Sequence, residues 1–410
     1  MDPMKLHFDF RDIFRAPRLA LSGKKILVFV QALLIGYADY LILTYISFAL
    51  AGYSLTETIS QFGLYPCLVG TPAPWYAMVV YWIGVVCLFL ACHFGCTAVS
   101  RITYKQLKGD EFYSSGDAWK YVMKHWHPVV FTSISFLFIL AFFFGLAALF
   151  ALMGSIPYVG EFLFVIPYLL YFFGSVFTLY TGIVFLLSFI YTPAIVGAYE
   201  EDTMGTVFNT YSITWSQPWR IVVYHHILLP LTVFAGYIFA KVWTAGYSLI
   251  NCVFGCEWFM GSKLANIVAY ASNVICPSSL CGGGASGCFD CGSCAGGICL
   301  FGNSGCSYAP SVDLASMTGT ETAAGVILSV ILFLLILSAI GYVLSILSVG
   351  ETLMFVIFKK RSDDDNILER KDEDEMDDED EEHDIDLDLD DVTSDSDDDN
   401  DGDPEEGSSD

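Results

Sequence analysis

Six stretches of this chain are apolar for long enough to cross a bilayer, and the polar positions gather between them. They cover residues 26–52, 76–100, 129–153, 168–192, 221–250 and 324–350. Each is apolar all round rather than along one stripe, which separates a membrane helix from a helix of a soluble core. About 20 helical residues span the hydrocarbon, so the pattern predicts an all-α, polytopic membrane protein with six transmembrane helices. Pro167 and Pro193 bracket the fourth stretch and predict its start and stop, because proline lacks a backbone donor and crowds the turn before it. The first stretch is longer than the 7–15-residue apolar core of a cleaved signal. Ala49-Leu50-Ala51 therefore reads as part of an anchor.

Charge gives the orientation. Six basic residues precede the first stretch (Lys5, Arg11, Arg15, Arg18, Lys24, Lys25), and Arg101, Lys105, Lys108, Lys120 and Lys124 lie between the second and third. Arg220 opens the fifth, and Lys359, Lys360, Arg361, Arg370 and Lys371 follow the sixth. Cytoplasmic flanks carry the Lys/Arg excess. With both termini inside, 17 of the 19 basic residues are cytoplasmic, Lys241 and Lys263 being the exceptions. The expected location is the plasma or inner membrane, crossed several times, with lipid as the surrounding partner.

Composition sharpens this picture at one place. Only 16% of the 410 residues are charged, against about a quarter in soluble domains, yet the net charge is −26. Residues 362–410 hold 28 acids against Arg370 and Lys371, while residues 1–361 carry 17 acids and 17 bases. The chain thus divides into a juxtamembrane segment (1–25), spans one to five (26–250), an exported Cys/Gly-rich loop (251–320), span six with its basic flank (321–361) and an acidic tail (362–410). High charge with little to bury predicts a disordered tail. Its alternation at Asp384-Ile385-Asp386-Leu387-Asp388-Leu389-Asp390 could dock in a basic, apolar groove; a plain solvating brush is the rival reading. Either way the tail points to basic cytosolic proteins as partners.

The cysteines sort by side. Cys87, Cys92 and Cys96 fall in span two. On this topology the other ten are exported: Cys67, Cys252, Cys256, Cys276, Cys281, Cys288, Cys291, Cys294, Cys299 and Cys306. An even number confined to an oxidising compartment predicts disulfides, although sequence cannot assign the pairs. The stretch 276–306 packs seven Cys and nine Gly into 31 residues, too little apolar surface for a core of its own. Cys288, Cys291, Cys294 and Cys299 also have the close spacing of a thiolate metal site. No histidine accompanies them and the loop is exported, so no metal is expected.

Two inner loops echo each other. Gly116-Asp117-Ala118-Trp119 leads to Trp126 and Pro128, as Gly205-Thr206-Val207-Phe208 leads to Trp215 and Pro218. Trp119, Val122, Met123 and Trp126, like Phe208, Tyr211 and Trp215, fall at helical spacing, which suits short helices in the headgroup region. The repeat would be an out-to-in span, a surface helix and an in-to-out span; independent interfacial helices are the alternative. Ile156-Pro157-Tyr158-Val159-Gly160-Glu161, Pro193-Ala194-Ile195 with Glu200 and Glu201, Tyr211-Ser212, Pro218-Trp219-Arg220 with Tyr224, and Thr352-Leu353 before Asp363–Asp365 are similar to motifs of uncharacterised prokaryotic six-span membrane proteins. That resemblance implies a six-span fold, and the group has no assigned activity to carry over to this chain. The Cys-rich loop and the acidic tail depart from it.

Candidate chemistry inside the membrane rests on Asp39 and His93. Asp39 lies about 21 Å along the helix from Lys25, near mid-bilayer, where a carboxylate is costly; it reads either as a proton- or cation-handling group or as a buried carboxyl satisfied structurally. The hydroxyls of Tyr37 and Tyr40 could serve it. His93 sits roughly 9 Å away in depth. His225 and His226 read as interfacial. No zincin, phosphate-loop or dinucleotide motif is present, so no enzyme activity, cofactor or nucleic-acid partner is expected. Residues 397–402 imitate the start of an EF-hand loop, but Ser408 stands where glutamate is required. Two functions remain: a membrane scaffold with a cross-linked exported loop and a recruiting tail, or a transporter or channel with a polar site near Asp39.

Overall fold

The computed structural model describes residues 4–275 and 317–371. Among these residues there is no strand. A 3-10 turn, Phe10–Arg15, and α1 (Ala16–Ala20) precede the first long helix, α2 (Gly23–Leu50). A short helix, α3 (Leu55–Phe62), leads to α4 (Trp75–Lys108), and α5 (Ser115–Lys124) to α6 (Trp126–Gly154). Then come α7 (Gly160–Val165), α8 (Tyr168–Tyr199), α9 (Thr203–Ser216), α10 (Pro218–Phe254) and α11 (Ser262–Ile275). The last is α12 (Gly319–Asp363), followed by a 3-10 turn, Ile367–Glu369. Six of these helices (α2, α4, α6, α8, α10 and α12) are long and apolar enough to cross a membrane, as the pattern predicts.

Their ends differ from the expected ones where charge or proline was read as a boundary. Helix α4 continues past Arg101 to Lys108 and stops at Gly109, whose φ of 105° suits only a residue without Cβ. Helix α8 runs through Pro193 and ends at Tyr199. Pro193 is buried there, and packed neighbours let a membrane helix carry a proline. Helix α12 has 45 residues and opens with a capping box. Thr318 Oγ1 accepts from the Glu321 amide, and the Glu321 carboxylate accepts from the Thr318 amide. Part of the expected exported loop is therefore helical, since α11 lies along α12 with Tyr270 against Gly325.

Most of the buried core sits at the end of the bundle where the basic residues gather. It is built from Val28 and Phe29 of α2, Ala98–Ile102 of α4, Tyr191–Ala198 of α8, Leu228 of α10 and Val349–Phe358 of α12. Helices approach closely there because glycine leaves room: a Cβ on Gly197 would stand 2.7 Å from Ser100 Cβ and 2.8 Å from Thr97 O. By contrast, α6 is exposed along most of its length. Both chain ends meet at the basic end. Arg361 Nε donates to Phe8 O at 2.9 Å and Nη2 pairs with Asp9, while Tyr342 donates to Pro17 O at 3.2 Å.

The beginning of the expected tail is folded. Ile367 is fully buried and Leu368 nearly so. Tyr104 donates to Ile367 O at 3.1 Å, Lys108 to Arg370 O at 2.8 Å, and Tyr199 to Asp365 Oδ2 at 3.2 Å. Arg370 lies over the Tyr199 ring at 4.8 Å. An aliphatic pair between acids supplies the apolar face that a count of charges overlooks. Residues 372–410 lie outside the described residues.

The loop echo takes the form of two short helices capped alike. Ser114 Oγ accepts from the Asp117 amide at 3.1 Å and Asp202 Oδ1 from the Gly205 amide at 2.7 Å. Each packs on the hairpin before it, α5 on α2 and α4, α9 on α6 and α8. Trp119 Nε1 donates to Gln31 Oε1 at 2.9 Å, and Tyr211 meets Phe136 and Phe177. The unit suggested by packing is thus an ascending span, a descending span and a surface helix, a different phase from the expected one. Phe208, Trp215 and Trp219 are exposed, as a headgroup setting requires.

Candidate functional site at the basic end

Arg101 forms the centre of the basic end. Its side chain is fully buried, and Nη1 lies 2.6 Å from Glu200 Oε1. Its guanidinium also lies 4.3 Å from the centre of the Tyr121 ring. Tyr121 in turn donates to Val196 O at 2.6 Å, which ties α5 to α8. Glu200 ends α8 with a φ of 58°, a left-handed conformation uncommon outside glycine. The chain accepts that conformation at the residue whose carboxylate meets the arginine.

A hydroxyl ladder joins α4 to α12 beside this pair. Ser348 donates to Cys96 O at 2.9 Å, Thr352 to Ser100 Oγ at 3.0 Å, and Ser100 and Ser348 lie 3.3 Å apart. Glu351 stands between Ser348 and Thr352 in sequence and is partly buried. The Tyr191 ring is fully buried and 5.8 Å from that of His225. Two further cations anchor the margin. Lys25 Nζ donates to Leu19 O at 3.1 Å and to Gln106 Oε1 at 2.9 Å. Lys359 donates to Asn209 Oδ1 at 3.0 Å and pairs with Asp363 at 2.5 Å.

The residues singled out from sequence fall elsewhere. Asp39 is exposed on α2 and makes no hydrogen bond or ion pair among the described residues. The expected helpers turn away from it: Tyr37 donates to Leu64 O and Tyr40 to Pro66 O, holding the loop before α4. His93 is buried on α4 between Phe89 and Phe189, facing α8. The two are not brought together. Gly36 meets Ala91, and Gly95 meets Ala32, so Asp39 and His93 occupy different levels of the hairpin. Of the interfacial histidines, His226 is exposed, while His225 turns inward.

Cys87, Cys92 and Cys96 are free thiols in α4. Cys252 and Cys256, expected in disulfides, are exposed free thiols one turn apart at the end of α10. Cys256 donates to Cys252 O at 3.3 Å instead. Neighbours on one helix face present parallel rather than converging Cβ vectors, the wrong geometry for a bridge. Cys67 is buried with its sulfur 3.6 Å from Tyr81 Oη. Cys276, Cys281, Cys288, Cys291, Cys294, Cys299 and Cys306 lie outside the described residues. Among the described residues no group of three or more His, Cys, Asp or Glu side chains is placed to hold a metal ion.

Glu351, Tyr191 and the Arg101–Glu200 pair were missed in the sequence for a common reason. A charge at the end of an apolar run reads as an interface residue, and burial there depends on a partner far away in the chain. No family model, curated protein or solved structure matches the chain.

Proposed function

We propose that the protein is a membrane platform, fixed in the plasma or inner membrane with both termini cytoplasmic. It presents an acidic tail to basic cytosolic proteins and a cysteine-rich loop, cross-linked by disulfides, on the other side. One observation carries this reading: the root of the tail is seated on the bundle through Ile367, Leu368 and Arg370. A seated root gives the following 39 residues, with 24 acids and no Lys or Arg, a fixed point of departure. Exposed charge of this density attracts cationic surfaces over about 8 Å at physiological ionic strength. The transporter reading rested on Asp39, whose neighbours are committed to loop carbonyls.

Two truncations in detergent test the proposal. Removing residues 372–410 is expected to leave the melt unchanged and to abolish salt-sensitive capture of basic cytosolic proteins. Removing residues 362–410 should also destabilise the bundle by about 3 kcal/mol, because burying each aliphatic side chain is worth about 1.5–3 kcal/mol. Capture that survives the first truncation, or cation uptake by proteoliposomes that depends on Asp39, would overturn the platform.

A further inference from the structure

The residues ahead of α2 have two faces. Ile13, Ala16, Leu19 and Ala20 are buried on the bundle, whereas Phe10, Arg11, Phe14, Arg18 and Leu21 are exposed. Contacts set the depth of α1. Tyr342, within the sixth apolar stretch, donates to Pro17 O at 3.2 Å, and Ser345 donates to Ala20 O at 3.3 Å. The Tyr342 ring lies 4.6 Å from that of Phe239, within the fifth stretch. A Cβ on Gly341 would stand 3.3 Å from both Ile26 O and Phe29 Cβ, so α1 is level with the first turn of the first stretch. One turn further along α2, Gln31 takes the Trp119 indole, and tryptophan favours the headgroup depth. Helix α1 therefore lies at the boundary of the hydrocarbon, with one face on the protein and the other turned outward.

We propose that this outward face binds an anionic phospholipid of the leaflet at the basic end, with Arg18 on its phosphate and Arg11 reinforcing the attraction from about 12 Å along the segment. The neighbouring cations are already occupied. Arg15 donates to Lys5 O at 2.9 Å and lies 3.7 Å from Asp12, and Lys24 donates to Glu111 O at 3.0 Å. Lys25 is held by Leu19 O and Gln106 Oε1, and Arg361 by Phe8 O and Asp9. Arg11 and Arg18 make no hydrogen bond or ion pair among the described residues. No acid of the segment answers them: Asp12 is fully buried and accepts from the His7 amide at 2.9 Å, and Asp9 pairs with Arg361. Charge complementarity thus calls for an anion. The guanidinium fork fits two phosphate oxygens, while the arginine stem follows apolar surface. Phe14 and Leu21, each 57% exposed, flank Arg18 in sequence. They supply apolar contact that a lipid uses and a soluble phosphate does not, and segments of this mixture lie in the interface. The site does not rest on the platform reading, since a lipid can be held with or without a tail.

The test is native mass spectrometry of the full-length chain in detergent, titrated with dioleoylphosphatidylglycerol or with dioleoylphosphatidylcholine. The anionic lipid is expected to fill its tightest site at least about tenfold more tightly than the zwitterionic one. One basic residue near an anionic surface is worth about fivefold in affinity. Arg18→Gln should therefore weaken phosphatidylglycerol about fivefold, and Arg11→Gln with Arg18→Gln about 25-fold. Both side chains are exposed, so the lipid-free melts of these variants should match that of the parent. Arg18→Lys should keep most of the affinity, and Lys263→Gln, at the far end of the bundle, should leave it unchanged. Equal affinity for the two lipids, a double variant that binds phosphatidylglycerol as the parent does, or displacement of that lipid by an equal concentration of glycerol 3-phosphate would overturn the proposal. So would a rise in affinity of about tenfold or more on removing residues 372–410, which would assign the two arginines to the acidic tail.

Discussion

Replacing Arg101 with methionine is expected to cost about 3–5 kcal/mol of stability, read from thermal or denaturant melts in detergent. That is the range for breaking a buried pair by removing one partner. The loss has two parts, the Glu200 carboxylate deprived of its arginine and the vacated face of Tyr121, 4.3 Å from the guanidinium. They can be separated. Glu200→Gln in the same chain removes the stranded charge, so the double variant should recover part of the loss, whereas independent sites would give the sum of two losses. A single variant that melts within 1 kcal/mol of the parent would mean that water reaches the pair and screens it.

The second large effect is expected at Gly197. A methyl there meets Ser100 Cβ at 2.7 Å, Thr97 O at 2.8 Å and the Arg101 amide at 3.1 Å. Two of those atoms are backbone and cannot rotate away, so α8 must move off α4. Overpacking of this kind costs about 1–3 kcal/mol for the smallest change and more as the side chain grows. Gly197→Ala should lower stability by that amount, and Gly197→Leu should give little folded protein in size-exclusion chromatography. Gly174 on the same helix supplies the control, because nothing lies within 4 Å of its added Cβ. Gly174→Ala should be neutral, or stabilising by up to about 1 kcal/mol, the usual gain for a helix interior.

These two positions also show how far the sequence could be read. Apolar run length is a local property, and it placed all six long helices. Helix ends are less local. Arg101 looked like the edge of a span because a charge at the end of an apolar run normally meets water. It is buried because Glu200, 99 residues later, arrives beside it. Pro193 looked like a terminator because its cost in an isolated helix is high, but its neighbours in the bundle hold the helix together. Asp39 stood out because a carboxylate amid leucines is conspicuous. Ile367 and Leu368 were hidden by surrounding acids. Their seat is made by Tyr104 and the Arg370–Tyr199 contact, and no window of residues contains both sides.

The meeting of the two chain ends sets a timetable for synthesis. The hairpin of α2 and α4 can close as soon as residue 108 has been made, since its glycine contacts lie within that stretch. Met4 can already donate to Leu107 O at 2.9 Å, but Phe10–Ala20 must wait for α10 and α12. The partner Tyr342 follows Pro17 by 325 residues, and Arg361 follows Phe8 by 353. At a translation rate of roughly 5–20 residues per second that interval is about 16–70 s. Throughout it, the amphipathic residues from Phe10 to Ala20 lie uncovered beside the ribosome. The final step is then the seating of the segment before α2 on α12, so a chain that stalls before α12 would leave Phe10–Ala20 recognisable to quality-control proteases.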